Sequence, residues 1–377
     1  MSRLKVLFLL SAVLLFGTCP MFAAKYGVGT CEPSLPSYPN ISAAVSSVPA
    51  GSTVLVCPGT YAEQVIIAQP LTLQGVSSGN SAQAVITVPG GGLATITSIF
   101  GQILSPQVEV TTGPVNITNI TVDGTGGSNS CSTFLVGIYY GSGSSGTVNE
   151  DTVRNEIDSG CGYGIWIENG TAMNESVTIE NNSVHAFDAD GILAQSNQSP
   201  PTLTATIRGN YVDAGSSFPY GIYVGVGALG SVTDNIVILA TDGFGILSRS
   251  PVIISGNTLT GPSSLSSVGI GIQAAGVSVT GNKISNNGLG IDMYASGNTV
   301  KSNTIAKSNV GIEFNCTSGN TVSGNTINDA ATGLDGVPLS STPGDSFSNV
   351  ATIRNDDCGF ARSDAKSPPS PFNHHPN

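Results

Sequence analysis

Four stretches of the chain read alike: 177–184 (VTIENNSV), 252–260 (VIISGNTLT), 277–285 (VSVTGNKIS) and 321–328 (TVSGNTIN). In each, branched apolar residues alternate with polar ones on either side of a turn made from Gly, Asn, Ser or Glu, which is a strand–turn–strand pattern. The Asn at the turn belongs to a series, Asn155, Asn182, Asn210, Asn235, Asn257, Asn282, Asn303 and Asn325, spaced 21 to 28 residues apart. A second series keeps step with it. Gly-Ile or Gly-Leu tetrads start at Gly137, Gly164, Gly191, Gly221, Gly245, Gly271, Gly290, Gly311 and Gly333, with spacings of 19 to 30 residues. Two short strands per period, with no helical stripe between them, predict a solenoid of β-coils. Propeller blades need about 40–50 residues and four strands, so these periods are too short for them. Leucine-rich repeats would show a leucine ladder, which is absent. Gly and Asn suit the corners because both tolerate positive φ.

Composition agrees. The 377 residues include 48 Gly, only 10% are charged and 40% are apolar. Average domains carry about 25% charged residues and about 7% Gly. A mean hydropathy of +0.18 argues against general disorder. Twelve Lys and Arg against 24 Asp and Glu give a net charge of −12, which argues against a nucleic-acid partner. At the N-terminus, Arg3 and Lys5 precede the apolar run 6–16, so residues 1–24 read as an export signal too short to span a bilayer. No later segment is apolar enough to cross a membrane. Six Cys then remain, and in an exported chain an even number favours disulfides over metal ligands. Six Cys allow 15 pairings; sequence-local pairing favours Cys31–Cys57, Cys131–Cys161 and Cys316–Cys358.

The stretch 41–76 (ISAAVSSVPAGSTVLVCPGTYAEQVIIAQPLTLQGV) and the repeats after it resemble the right-handed parallel β-helix proteins of the pectate-lyase-like superfamily. The resemblance covers roughly residues 38 to 336. It implies an all-β, single-stranded right-handed parallel β-helix with a short N-terminal capping helix. Ile41, Ala44, Val45 and Val48 at helical spacing fit such a cap, which an open coil needs over its unpaired backbone. The expected layout is a signal over 1–24 and a β-helix domain over 25–362. Within that domain fall a cap near 38–50, regular coils over about 137–336 and a C-terminal cap over 339–362. A disordered tail, 363–377, follows. Residues 90–127 are irregular and suit a longer side loop.

Alternation places the Ile of each tetrad inward and the next residue outward. The outward column reads Tyr139, Trp166, Leu193, Tyr223, Leu247, Gln273, Asp292, Glu313 and Asp335. A parallel column two residues on reads Gly141, Glu168, Gln195, Gly225, Arg249, Ala275, Tyr294 and Asn315. Tyr139, Trp166 and Tyr223, with Glu168, Gln195 and Arg249 beside them, form a candidate sugar-binding face of flat rings flanked by polar groups. The alternative is that a side loop covers these rings as a minor core. Asp292, Glu313 and Asp335 stack on successive coils. Stacked like charges need solvation, compensation by Lys301 and Lys307, or a cation, for which calcium has the right oxygen preference. A third candidate is His185, Asp188 and Asp190, with Arg208 about a coil later, as a proton-transfer set. Corner chemistry alone also yields such a group. The Asn series itself reads as structural.

Activity is not carried over from the resemblance. Pectin methylesterase-like chains carry a Gln-Asp pair and an Asp-Phe-Ile-Phe-Gly strand, and polygalacturonase-like chains carry Gly-His-Gly. Here His185 stands in Val-His-Ala. No calcium cluster with a neighbouring Arg base matches the pectate lyases. Residues 187–190 (FDAD) only faintly echo the Asp-Pro-His-Asp of mannuronan epimerases. The β-helix proteins of copper maturation share the opening region and repeats, but their Met/His/Cys metal set is absent. The expectation is a secreted, periplasmic or cell-surface monomer that binds or modifies polysaccharide through an outward strand face. If catalytic, it is a lyase, glycoside hydrolase or epimerase with no required cofactor beyond calcium; the alternative is a non-catalytic adhesive or structural solenoid.

Overall fold

The structure, a computed structural model, describes residues 23–77, 83–127, 130–215, 219–240, 242–338, 344–356 and 358. The expected signal and tail lie outside them, apart from Ala23 and Ala24. Thirty-five strands pair coil over coil. Each regular coil contributes three strands, not the two read from the sequence. One precedes the Asn corner (such as Leu203–Arg208), one follows it (Tyr211–Ala214), and one carries the Gly-Ile tetrad (Tyr220–Val224). The three stacks are called the first, second and Gly-Ile sheets below. All their pairings are parallel; among the described residues only Ile96–Thr97 pairs antiparallel, with Ile103–Val110. Coil stacking reaches back to Lys25–Val28, well before the tetrads begin.

Register aligns one branched residue per strand into three inward stacks. In the first sheet Ile117, Val148, Ile179, Ile207, Val232, Ile254, Val279, Val300 and Val322 lie in line. Val122 to Ile327 do so in the second sheet, and Ile138 to Leu334 in the Gly-Ile sheet; all are buried. The tetrad glycines have a reason other than φ. A Cβ on Gly221 would stand 2.5 Å from Val237 Cγ1 and 2.6 Å from the Gly245 carbonyl oxygen, and its φ is not positive. The second sheet's branched residue packs directly onto that glycine, so only a residue without a side chain fits.

Positive φ falls elsewhere, on the residue before each ladder Asn: Asn181, Gly209, Asp234, Gly256, Gly281, Ser302 and Gly324. The turn so formed directs the next side chain inward. Asn210 is representative: its Nδ2 donates to the Ile179 carbonyl of the coil before and to Asn235 Oδ1 of the coil after, at 3.0 and 2.9 Å. The same bonds recur through Asn182, Asn235, Asn257, Asn282 and Asn303, and each buried corner is satisfied in turn. Asn325 ends the run on Asp345 Oδ1. Asn155 is not a member. Asp151 fills that rung, accepting from Ile120 N and donating its own backbone N–H to Asn182 Oδ1. Asn155 sits one corner later, where its Nδ2 donates to Asp123.

The N-terminal plug is the helix Ile41–Ser47, which turns Ile41, Ala44 and Val45 into the core. Asn40 caps it, and the Glu63 carboxylate accepts from the N–H groups of Ile41 and Ser42 at 2.9 and 2.8 Å. The three sequence-local cysteine pairs are all formed. Among the described residues no helix is long and apolar enough to cross a membrane. The irregular stretch 90–127 contains a side loop over residues 96–102, followed by ordinary strands at Val115–Thr118 and Ile120–Asp123.

Candidate functional site

The outward face of the Gly-Ile sheet carries the predicted columns with one change of register. Leu247 pairs with Gly271 and Gly271 with Asp292, so Gly271 stands in the first column and Gln273 in the second, displacing Ala275. The sequence VGIGIQ offers two Gly-Ile pairs; the structure uses Gly269-Ile270. Gly271 is needed bare, because the Phe244 ring lies 2.7 Å from where its Cβ would be.

The rings do not form an open platform. Tyr139, Trp166 and Tyr223 are 5%, 1% and 2% exposed and belong to a second apolar cluster with Leu104, Tyr163, Leu193, Tyr220, Phe244 and Leu247. Tyr163 and Tyr220, two residues before their Ile, pack over the same face. Their ring centroids lie 4.7 Å from Trp166 and 5.4 Å from Tyr223. The expected exposed sugar-stacking column is therefore corrected to a minor core, with Arg249 donating to the Tyr223 oxygen at 3.4 Å along its edge.

At the N-terminal end of this face the geometry changes. Glu168 Oε1 accepts from the Tyr139 hydroxyl at 2.6 Å and from Ile99 N of the side loop at 2.9 Å. Oε2 accepts from Trp166 Nε1 at 3.1 Å and from Gln195 Nε2 at 3.4 Å. Four of the six expected binding residues are thus one hydrogen-bonded group, and it pins the loop to the sheet. Between loop and sheet lies a cleft of about 260 Å³, lined by Thr97, Ser98, Glu109, Thr111, Tyr139, Gly141, Ser142 and Glu168, with Ile96 and Ile99. Glu109 pairs in register with Tyr139 and so stands in the outward column one coil earlier. The sequence reading missed it because its strand, Ile103–Val110, has Gln107 where later coils have the tetrad glycine; the alternation in Val108-Glu109-Val110 was the available signal. Burial pushes the carboxyl groups of Glu109 and Glu168 up. For Glu168 the four donors oppose that push, with Tyr139 foremost. Burial, then the charge of Glu168, raises the Tyr139 phenol far out of the range where it ionises.

At the other end Asp292, Glu313 and Asp335 are neighbours in register, as expected. They are buried, not a solvated stripe. Burial pushes Asp292 up to about 6, against Tyr294 and Asn315, which favour its ionised form. Burial, then the charges of Asp335 and Asp292, pushes Glu313 up to about 7. Asn315 and Asn355 donate to Asp292 and Asp335. Among the described residues no three His, Cys, Asp or Glu side chains are grouped to hold a metal ion. Amide donors and raised proton affinity relieve its repulsion, and Lys301 and Lys307 belong to the other two stretches of the coil.

His185, Asp188, Asp190 and Arg208 do not converge. His185 stands on the second sheet between Arg154 and Asp213. Arg208 is on the first sheet, paired with Glu180. Asp188 accepts from the N–H groups of Asp158, Gly160 and Gly162 and fixes a corner. Asp190 is buried on the Gly-Ile sheet beside Tyr220. Positions close in sequence are spread over three sheets, which separates the proposed proton-transfer set.

Comparison with solved structures bears on the fold. The Azotobacter vinelandii mannuronan C-5 epimerase AlgE4 A-module superposes with a TM-score of 0.50 at 16% identity, covering 83% of this chain and 92% of that one. The GH136 lacto-N-biosidase of Eubacterium ramulus gives 0.55 at 11% identity, covering 89% and 67%. The chain is a right-handed parallel β-helix. Residues 202–336 also match the family described as periplasmic copper-binding protein (NosD). That stretch of the β-helix holds one Cys, one Met and no His, so its residues do not supply a soft-ligand copper set. No curated protein matches the sequence.

Proposed function

We propose that this β-helix is an exported, polysaccharide-directed protein, acting as a monomer, whose glycan-contacting site is the cleft between the side loop and the Glu109–Tyr139–Glu168 end of the Gly-Ile sheet. The observation that carries the reading is the cleft itself, lined by the hydroxyl-bearing Thr97, Ser98, Thr111, Tyr139 and Ser142, two carboxyls and the apolar Ile96 and Ile99. Sugars offer the matching mixture of hydroxyl edges and C–H faces. Export is supported by three disulfides, a feature of oxidising compartments. Fold likeness to two carbohydrate-acting proteins is consistent with it but does not choose the glycan.

The test is a glycan array and calorimetry on the full chain and on Thr111→Trp, which fills the cleft from its rim. Binding by the native protein that falls at least tenfold in the variant supports the site. Binding unaffected by Thr111→Trp places glycan elsewhere. An absence of binding to every glycan leaves the rod-like, non-catalytic structural solenoid as the better reading, which the unbroken Asn run and covered aromatic face favour.

A further inference from the structure

The side loop beside the cleft is a ribbon held at both ends in different ways. Ile96 pairs antiparallel with Leu104 and Thr97 with Ile103. The turn between them closes on itself, Ser98 N donating to Gln102 O at 2.8 Å and Gly101 N to Ser98 O at 3.0 Å. The base is firmly seated. Ala94 exchanges two hydrogen bonds with the Gln64 side chain, each 3.0 Å, while Ile96 packs against the minor core and Leu104 is buried in it. The tip rests on later coils. Ile99 N donates to Glu168 Oε1 at 2.9 Å, and Ile99 O accepts from Asn197 Nδ2 at 3.4 Å.

The tip is the easier end to release. Glu168 keeps Tyr139, Trp166 and Gln195 as donors when Ile99 leaves, so no buried carboxylate is left bare. The freed backbone groups of Ile99 turn to water. Thr97, Gly101 and Ile103 are already exposed. The bonds inside the hairpin need not break, so it can move as one piece, as segments with few buried contacts do. The closed cleft is also small. Its volume of about 260 Å³ lies below the ~300–1,000 Å³ usual for ligand pockets. Ile96, Thr97, Ser98 and Ile99 supply one of its walls, so raising the tip widens it and leaves the sheet undisturbed.

We propose that the hairpin 96–104 is a flap, latched through Ile99 to Glu168, that lifts as a unit to admit a glycan and closes against it. This rests on the glycan-binding reading above, and the experiment separates the two.

Amide hydrogen exchange and glycan binding are measured on the full chain. A Cβ on Gly170 would stand 3.6 Å from Ile99 Cβ, within the about 3.5–4.5 Å that a disulfide spans. Ile99→Cys with Gly170→Cys therefore fastens the tip, and Ile99→Ser with Gly170→Ser is the matched pair that cannot cross-link. In the native chain, protection at the Ile99 amide should be at least tenfold lower than at Ser98, whose bond lies inside the hairpin. Equal protection at both means that the loop unravels instead of lifting, and overturns the flap. Glu168→Gln turns amide N–H groups toward the remaining donors. It should lower protection at Ile99 at least tenfold while the core amide of Ile207 stays within threefold; an unchanged Ile99 overturns the latch. Affinity for a glycan bound by the native chain should be at least tenfold lower in the cross-linked pair than in the serine pair, and equal affinity overturns the proposal. A native chain that binds no glycan overturns the glycan reading alone, and the exchange results then decide the flap.

Discussion

Replacing Asp151 by Asn should stabilise the protein, by an amount that grows with pH. The rung that Asp151 fills is built for an amide. At each Asn rung, from Asn182 to Asn325, Nδ2 donates to a carbonyl of the coil before, as Asn182 does to Val148 at 2.9 Å. Ile117 is the residue in register with Val148 one coil earlier, so its carbonyl is the equivalent acceptor at the Asp151 rung. Two acceptor oxygens cannot satisfy one another, and Asp151 Oδ2 is indeed buried without a partner. Burial pushes its carboxyl well above the ordinary range, against the backbone N–H groups that favour its ionised form, so the folded chain favours a protonated rung. The unfolded chain surrenders that proton near pH 4. Each pH unit over which only the folded form stays protonated therefore costs about 1.4 kcal/mol of stability. Asp151→Asn makes the same contact without a proton. Its advantage should be small at pH 4 and grow as the pH rises to 6. Urea unfolding with disulfides intact, run at pH 4, 5 and 6, measures it. A variant no more stable than native at pH 6, or an advantage that does not change with pH, would refute the neutral rung.

Two further outcomes follow from packing and charge. Gly221→Ala should destabilise by about 1–3 kcal/mol, since its Cβ would stand 2.5 Å from Val237 Cγ1, whereas Gly51→Ala meets no atom within 4 Å and should suffer only the smaller cost of its positive φ; thermal melts compare them. Asp292, raised in the folded state to about 6, contributes stability that is fully present below its unfolded value of 3.8 and is lost as pH rises through 6. The native protein should thus lose about 2–3 kcal/mol from this group between pH 4 and pH 7, and Asp292→Asn should flatten that part of the profile. An unchanged profile in the variant removes the assignment.

The periodic part of the fold was legible because its cause is repeated. A tetrad glycine answers one clash, a ladder Asn answers one corner, and nine or so copies make the rule visible. What repetition hid was the reason: positive φ lies before the Asn, and the tetrad glycine serves a close approach. The Asn155 assignment failed because Asp151 does an Asn's work with a different letter. The site was less legible. Tyr139, Trp166, Glu168 and Gln195 were found as a group because register follows from the tetrads. Their burial was one of two readings, a covered minor core beside an open face, and the choice depends on the way Tyr163 and Tyr220 lie across the face and on a loop whose sequence repeats nothing. Glu109 was missed for the same reason, lying in a coil whose Gln107 broke the pattern.

The run of amide rungs also constrains how the molecule can change length. A duplicated coil inserted between Asn210 and Asn303 would find a donor waiting on one side and an acceptor on the other, so tandem copying there is nearly free of adjustment. Past Asn325 the next rung is Asp345, which accepts from Asn325 but has no amide hydrogen to pass on. Expansion by gene duplication is thereby channelled into the middle of the rod, and the two carboxyl rungs mark where the copying unit begins and stops.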